Sequence, residues 1–228
     1  MASQSLQAAY VLHTRRYGDS SLIADLLTRD QGRVACIAKG ALRARRTDTR
    51  IQSFQCLLVE LRGRGEVFNL VRAESTGAPL PLSGRKLYCG LYANELVLRL
   101  TARQDACPEL FDDYALAIEE LCGQAPAEPT LRRFEVRLLR HMGLGLLLEL
   151  DTSGRPIEAD SRYTYDVDSG PVLCAGNNRD AVGGRTLWAL QAGVFEDDAA
   201  LKEARDLMRR VLNHYLEGRP LNSRELFR

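Results

Sequence analysis

The hydrophobic period of this chain changes at Pro79-Leu80-Pro81. Before it, short runs rich in β-formers alternate with turn signals; after it, apolar residues recur at helical spacing. The early runs are Ala9–His13, Leu22–Leu27, Arg33–Ala38, Gln55–Leu61 and Glu66–Val71. Gly18-Asp19-Ser20, Asp30-Gln31-Gly32 and the hairpin sequence Arg62-Gly63-Arg64-Gly65 separate several of them. Glycine at such turns supplies the positive φ that they need. Five short strands in so short a segment predict a small closed barrel or sandwich. Strands followed by helices make the class α+β, with a first domain over 1–80 and a helical domain over 81–228.

In the second domain, Arg85–Thr101 is apolar on nearly every side and reads as a buried helix. Pro108 suits the first turn of a second helix, with Phe111, Tyr114, Ile118 and Leu121 on one face. Thr130 is the expected cap of a third, whose core stripe is Leu131, Phe134, Leu138 and Met142 and whose stop is Gly143. Periodicity is lost over 151–182 except for a hairpin, Arg162–Tyr165 and Val172-Leu173 around Asp168-Ser169-Gly170. Helix returns at Thr186–Gln191 and again from about Ala199 to Glu217, where Gly218 and Pro220 end it.

Several functions are disfavoured. The longest greasy stretch, Leu144–Leu148, is far too short to span a bilayer, and the first residues lack the layout of a secretory signal. The expectation is a cytoplasmic protein with no membrane partner. There is no triphosphate-cradling loop, no dinucleotide fingerprint, and no serine or cysteine with an evident histidine partner. No catalytic residue is expected. The six cysteines, at 36, 56, 89, 107, 122 and 174, are never closer than 15 residues, so no metal site and no cofactor is expected.

What the sequence offers instead is a charge asymmetry. Residues 1–80 carry 12 Lys+Arg against 7 Asp+Glu, a net of +5; residues 81–228 carry 19 against 23, a net of −4. Arg29, Arg33, Lys39, Arg43, Arg45, Arg46 and Arg50 crowd into 22 residues, with Arg15, Arg16 and Arg64 on either side. Arginine's planar fork suits phosphate contact and base stacking, so this set is the expected nucleic-acid-binding surface. A solvated basic loop is the plainer reading of the same residues. Tyr17 is the stacking candidate; Tyr10, Phe54 and Phe68 are expected in the core.

On the third helix, Arg132, Val136 and Leu139 form a stripe beside the core stripe, with Arg133, Arg137 and Arg140 beyond it. An apolar strip edged by arginines suits an acidic, hydrophobic peptide; a solvated amphipathic helix has the same pattern.

The chain resembles the bacterial RecO family of recombination mediators. The resemblance is carried by Ala9-Tyr10-Val11-Leu12-His13-Thr14, Gly32-Arg33-Val34 with Ala38-Lys39-Gly40-Ala41, and Gly63-Arg64-Gly65-Glu66. It continues through Leu87–Tyr92 with Asn94-Glu95-Leu96, Leu131-Arg132-Arg133-Phe134-Glu135, Gly218-Arg219-Pro220-Leu221 and Ser223-Arg224-Glu225-Leu226-Phe227. These motifs run in order through nearly the whole chain.

The resemblance implies an N-terminal five-stranded OB-fold barrel and an α-helical domain with a small zinc-finger-like β-hairpin insertion at about 151–182. It implies a protein that is not an enzyme but binds single- and double-stranded DNA and anneals complementary strands without ATP. Its implied partners are the acidic tail of the single-strand-binding protein SSB, then RecR and, indirectly, RecA, at the nucleoid; the arginine-edged face of the third helix, Arg132, Arg133, Val136, Leu139 and Arg140, is the expected seat of that tail. Some relatives carry four cysteines in the insertion; here it holds only Cys174, so it is expected to be metal-free. Asn222 stands where many relatives have lysine. The rival is an OB-fold RNA-binding, translation-associated protein, which would prefer structured RNA through 2′-hydroxyl contacts.

Overall fold

The computed structural model describes residues 6–43, 50–78, 80–174, 178 and 180–227. Two compact units emerge: the chain up to Gly123 together with the segment from Ser223, and Gln124–Asn222. Chain texture changes near residue 80, but packing groups the first two helices with the barrel.

The first unit opens with β1 (Gln7–Tyr17), β2 (Ser21–Thr28), β3 (Gly32–Ala38), β4 (Cys56–Arg62) and β5 (Val67–Ser75). They close into a barrel in the order β1-β2-β3-β5-β4, with β3 and β5 parallel and the other pairs antiparallel. This is the expected five-stranded, OB-like barrel within an α+β protein. Alternation along each strand sends Ala9, Val11, Ala24, Leu26, Val34, Cys36, Leu57, Val59, Leu61 and Phe68 inward. Small residues at 9, 24 and 36 leave room for the larger ones in a narrow lumen. Gly32 sits at φ +65°, and a Cβ there would lie 1.9 Å from the Asp105 carbonyl oxygen, so only glycine fits.

Two helices belong to this unit, α1 (Gly84–Leu100) and α2 (Pro108–Cys122). Pro108 opens α2 as its sequence position predicts. Tyr10 of β1 packs on Phe111 and Tyr114 of α2, with ring centroids 5.4 and 5.1 Å apart. Gly90 of α1 admits the Phe54 ring, which a Cβ would meet at 2.8 Å. Tyr10, Phe54 and Phe68 are all buried, as the sequence indicates. A short 3₁₀ turn at Asn222–Phe227 returns to α1, where Ser223 donates its N–H (2.8 Å) and hydroxyl (2.7 Å) to Glu95.

In the second unit, α3 (Ala127–His141), α4 (Gly184–Ala192) and α5 (Asp198–Tyr215) pack around Phe134, Leu138, Leu187, Leu190, Leu207, Met208, Val211 and Leu212. α3 starts earlier than expected. Pro126 is its N-cap, and Thr130 lies inside the helix. Pro129 is accommodated because the N–H groups of a first turn have no intrahelical partner anyway. Residues 151–183 carry a sheet of order β7-β6-β8, from β6 (Arg162–Asp166), β7 (Gly170–Leu173) and β8 (Ala181–Gly183). The hairpin is the one expected; the third strand, only three residues long, carries too little pattern to be seen in sequence.

Candidate nucleic-acid face and peptide cavity

Strand register sorts the basic residues of the barrel into two groups. Arg15, Arg16 and Tyr17 end β1, opposite Ile23, Leu22 and Ser21 of β2, while Leu22 in turn pairs with Ala38 at the end of β3. Lys39 follows directly, and the 3₁₀ turn Ala41–Arg43 is tied to the β1–β2 turn by the Leu42 N–H to Ser20 carbonyl bond of 2.9 Å. Arg15, Arg16, Tyr17, Lys39 and Arg43 are therefore brought together, all exposed, Tyr17 at 52%. None of the four cations forms an ion pair among the described residues. Arg50 is exposed as well; Arg45 and Arg46 lie outside the described residues.

Arg29, Arg33 and Arg64 lie at the other end of β3, about 20 Å away at the rise of an extended strand. There the environment differs. Arg29 chelates Asp112 through its two terminal guanidinium nitrogens, Nη2 to Oδ2 at 2.9 Å, and lies 5.9 Å over the Phe111 ring. Arg33 donates to the Thr101 hydroxyl (3.2 Å) and carbonyl (2.8 Å). Burial first, and neighbouring Arg103 second, lower its pKa from the usual arginine value, against the pull of Asp25. Gln104 donates its N–H to the Arg33 carbonyl and its side-chain amide to Gly65, each at 2.9 Å, which fixes the Arg64 turn at this end. Arg29 and Arg33 thus hold the barrel to its helices. Their place in the sequence carries no sign of that, because the partners are 83 and 68 residues away.

The second unit contains a cavity of about 610 Å³. Its wall takes Val136 and Arg140 from α3, the run Gly145–Thr152, Ser169 and Gln191. The geometry follows from how α3 ends. Gly143 adopts φ +72°, and the Leu144 N–H reaches back to the Leu139 carbonyl at 2.8 Å, a Schellman closure. The chain then doubles back, so that Leu146–Leu150 face Val136 and Arg140. Leu147 and Leu150 are about half exposed, while Glu149 accepts from Gln191 at 2.8 Å and Asp151 is held by Arg155. In the sequence, the leucine run signals only that no membrane span is present; its role depends on the reversal after Gly143.

The expected peptide residues on α3 do not form one strip. Arg140 is exposed and Val136 lines the cavity, but Leu139 is fully buried and offers no surface. Arg132 is 6% exposed and pairs with Glu135 at 2.6 Å; Arg133 bonds to the Gly193 carbonyl and the Thr130 hydroxyl, each at 3.2 Å. A pattern at 100° per residue cannot tell which flank of a helix is covered by chain arriving from elsewhere.

No helix is long and apolar enough to cross a membrane among the described residues. Nor do those residues contain a group of three or more His, Cys, Asp or Glu placed to hold a metal ion. Residues 151–182 contain no histidine and one cysteine, so they do not fit the tetrahedral zinc of a finger.

Two family models match in tandem, Recombination protein O N terminal over residues 1–78 and Recombination protein O C terminal over residues 81–225. The chain is 44% identical over 226 residues to the DNA repair protein RecO of Aromatoleum aromaticum, covering 97% of this chain and 94% of that protein. It is 45% identical to DNA repair protein RecO of Methylococcus capsulatus, over 98% of this chain and 93% of the relative. The corresponding protein of Klebsiella pneumoniae is 42% identical over 97% and 92%.

Proposed function

The chain belongs to the RecO family of DNA repair proteins, and from that premise we propose that it acts in recombinational repair as a DNA-binding mediator without catalytic turnover. It binds single- and double-stranded DNA and anneals complementary strands without ATP. With RecR it helps RecA onto strands coated by SSB. The observation that carries the reading is the group of exposed cations at one end of the barrel, Arg15, Arg16, Lys39 and Arg43 beside Tyr17.

Annealing is downhill and needs no fuel. What opposes it is repulsion between two phosphate backbones, and arginines that neutralise phosphate while leaving base edges free lower that barrier. Engaging SSB requires a place for its acidic, apolar C-terminal tail. The leucine-walled cavity suits the apolar side chain, and Arg140 supplies a cation for a carboxylate.

The test is annealing of labelled complementary strands without nucleotide, on naked strands, strands coated with intact SSB and strands coated with tail-deleted SSB. Annealing on naked strands and on intact coats, with loss on tail-deleted coats, is the expected result. No acceleration on naked DNA would overturn the proposal.

A further inference from the structure

We propose that the open half of the barrel's outer face is a single-strand site in which the Tyr17 ring stacks on an unpaired base. This rests on the DNA-binding reading above and narrows it to one half of one face.

Parity along the strands defines that face. Ala24 and Cys36 point into the core, so their neighbours Ile23 and Ile37 point outward. Arg15 pairs with Ile23, Ile23 with Ile37, and Ile37 with Asn69, giving a continuous outer row across β1, β2, β3 and β5. Tyr17 and Ser21 form the next position on the same face, and Lys39 follows at the exit of β3. Arg15, Tyr17, Lys39 and Asn69 are exposed; Ile23 and Ile37 are half-buried. Cations at the rim, an aromatic ring and an apolar floor are what a sequence-tolerant single-strand site needs.

The other half of the face is closed. Arg33 and Ala35 share the outward parity of Ile37, but the α1–α2 connection lies over them. Arg33 bonds to Thr101, Gln104 donates to the Arg33 carbonyl, and Arg103 pairs with Asp25 at 3.6 Å. Ala35 retains 3% exposure. A strand laid along this half would have to break these contacts, and those of Arg29 with Asp112. On the open half, no comparable contact has to break among the described residues. The ring also sets the ligand class: a base already stacked in a duplex presents no face to Tyr17, whereas an unpaired one does.

The experiment measures anisotropy with three labelled ligands of equal length, a thymine single strand, a base-free phosphodiester strand and a duplex, over a salt series. The intact chain and four variants are compared. Tyr17→Ala is expected to weaken the thymine strand at least roughly fivefold, the loss of one stacking contact, and to leave the base-free strand and the duplex unchanged. Tyr17→Phe, which keeps the ring, restores binding. Joint replacement of Arg15 and Lys39 by alanine shrinks the single-strand salt slope by about 1.4, two phosphate contacts at about 0.7 each; joint replacement of Arg29 and Arg64 leaves it unaltered. Equal losses on thymine and base-free strands, no loss with Tyr17→Ala, or a slope change confined to the Arg29 and Arg64 variant would overturn the inference while leaving DNA binding intact. Failure of the intact chain to bind any of the three ligands at low salt would overturn the DNA-binding reading itself.

Discussion

The side-chain amide of Asn94 donates to the Leu12 carbonyl at 2.8 Å, and its own oxygen accepts from the Tyr114 hydroxyl at 2.6 Å. Leu12 sits where the β1–β2 register shifts between Val11 and His13. A bulge interrupts the ladder, and α1 meets the carbonyl there with a side chain. Asn94 and Tyr114 are both buried, so the bridge excludes water. Asn94→Leu keeps the branched heavy-atom shape but takes the donor from a buried carbonyl, an expected cost of about 2 kcal/mol or more, with Tyr114→Phe costing about 1 kcal/mol. Urea unfolding checks both; a cost below about 0.5 kcal/mol for Asn94→Leu would show that the Ser53 hydroxyl, 3.5 Å from the same carbonyl, suffices.

Two glycines with nearly the same φ should respond very differently to alanine. At Gly32, with φ +65°, an added Cβ would lie 1.9 Å from the Asp105 carbonyl oxygen, whereas at Gly18, with φ +63°, it would meet nothing within 4 Å. Gly18→Ala is expected to cost about 1 kcal/mol for the left-handed backbone alone. Gly32→Ala is expected to cost about 3 kcal/mol or more, since backbone must move as well. Equal melting temperatures would refute the close approach of the 101–106 segment to the barrel.

Glu203 gives a pH signature. Burial acts to raise its pKa, but the Gly183 N–H (3.0 Å), the Thr186 hydroxyl (2.8 Å) and Arg162 (2.6 Å) outweigh it, and the net shift is downward. A carboxyl lowered in the folded state stabilises above its unfolded pKa of about 4.5 and loses that contribution as pH falls through the lower folded value. The side chain is 31% exposed, so solvent screening holds the effect to about 1 kcal/mol. Glu203→Gln should therefore be less stable than the parent near neutral pH and converge with it in acid. Curves that stay parallel down to about pH 3 would exclude this linkage.

Arg140→Ala and Leu147→Asp are expected to weaken binding of an SSB tail peptide about tenfold or more, the scale of one charge-assisted hydrogen bond or one apolar anchor, while leaving naked single strands unaffected. Arg132→Ala and Leu139→Asp are poorer probes: one strips a partner from buried Glu135, and the other places a charge where exposure is zero. They should lower the melting temperature first. Peptide binding that survives both cavity variants would move the tail site elsewhere.

The elements and their order follow from local propensity and spacing. Period-two runs between turn signals became β1 to β5, Pro108 opened α2, and Gly143 closed α3, because each depends on propensities and spacings within a few residues. The sequence by itself also determined that the cations lie at the front and that Tyr17 is exposed. Tertiary structure alone decided which cations remain available. Arg29 and Arg33 look no different from Arg15 and Lys39 in sequence, yet Asp112 and Thr101 occupy the first pair and leave the second in solvent. The same holds for Leu139, buried, and Leu147, half exposed. Local pattern fixes which way a side chain points from its own element; what it meets there is set by chain arriving from far along the sequence.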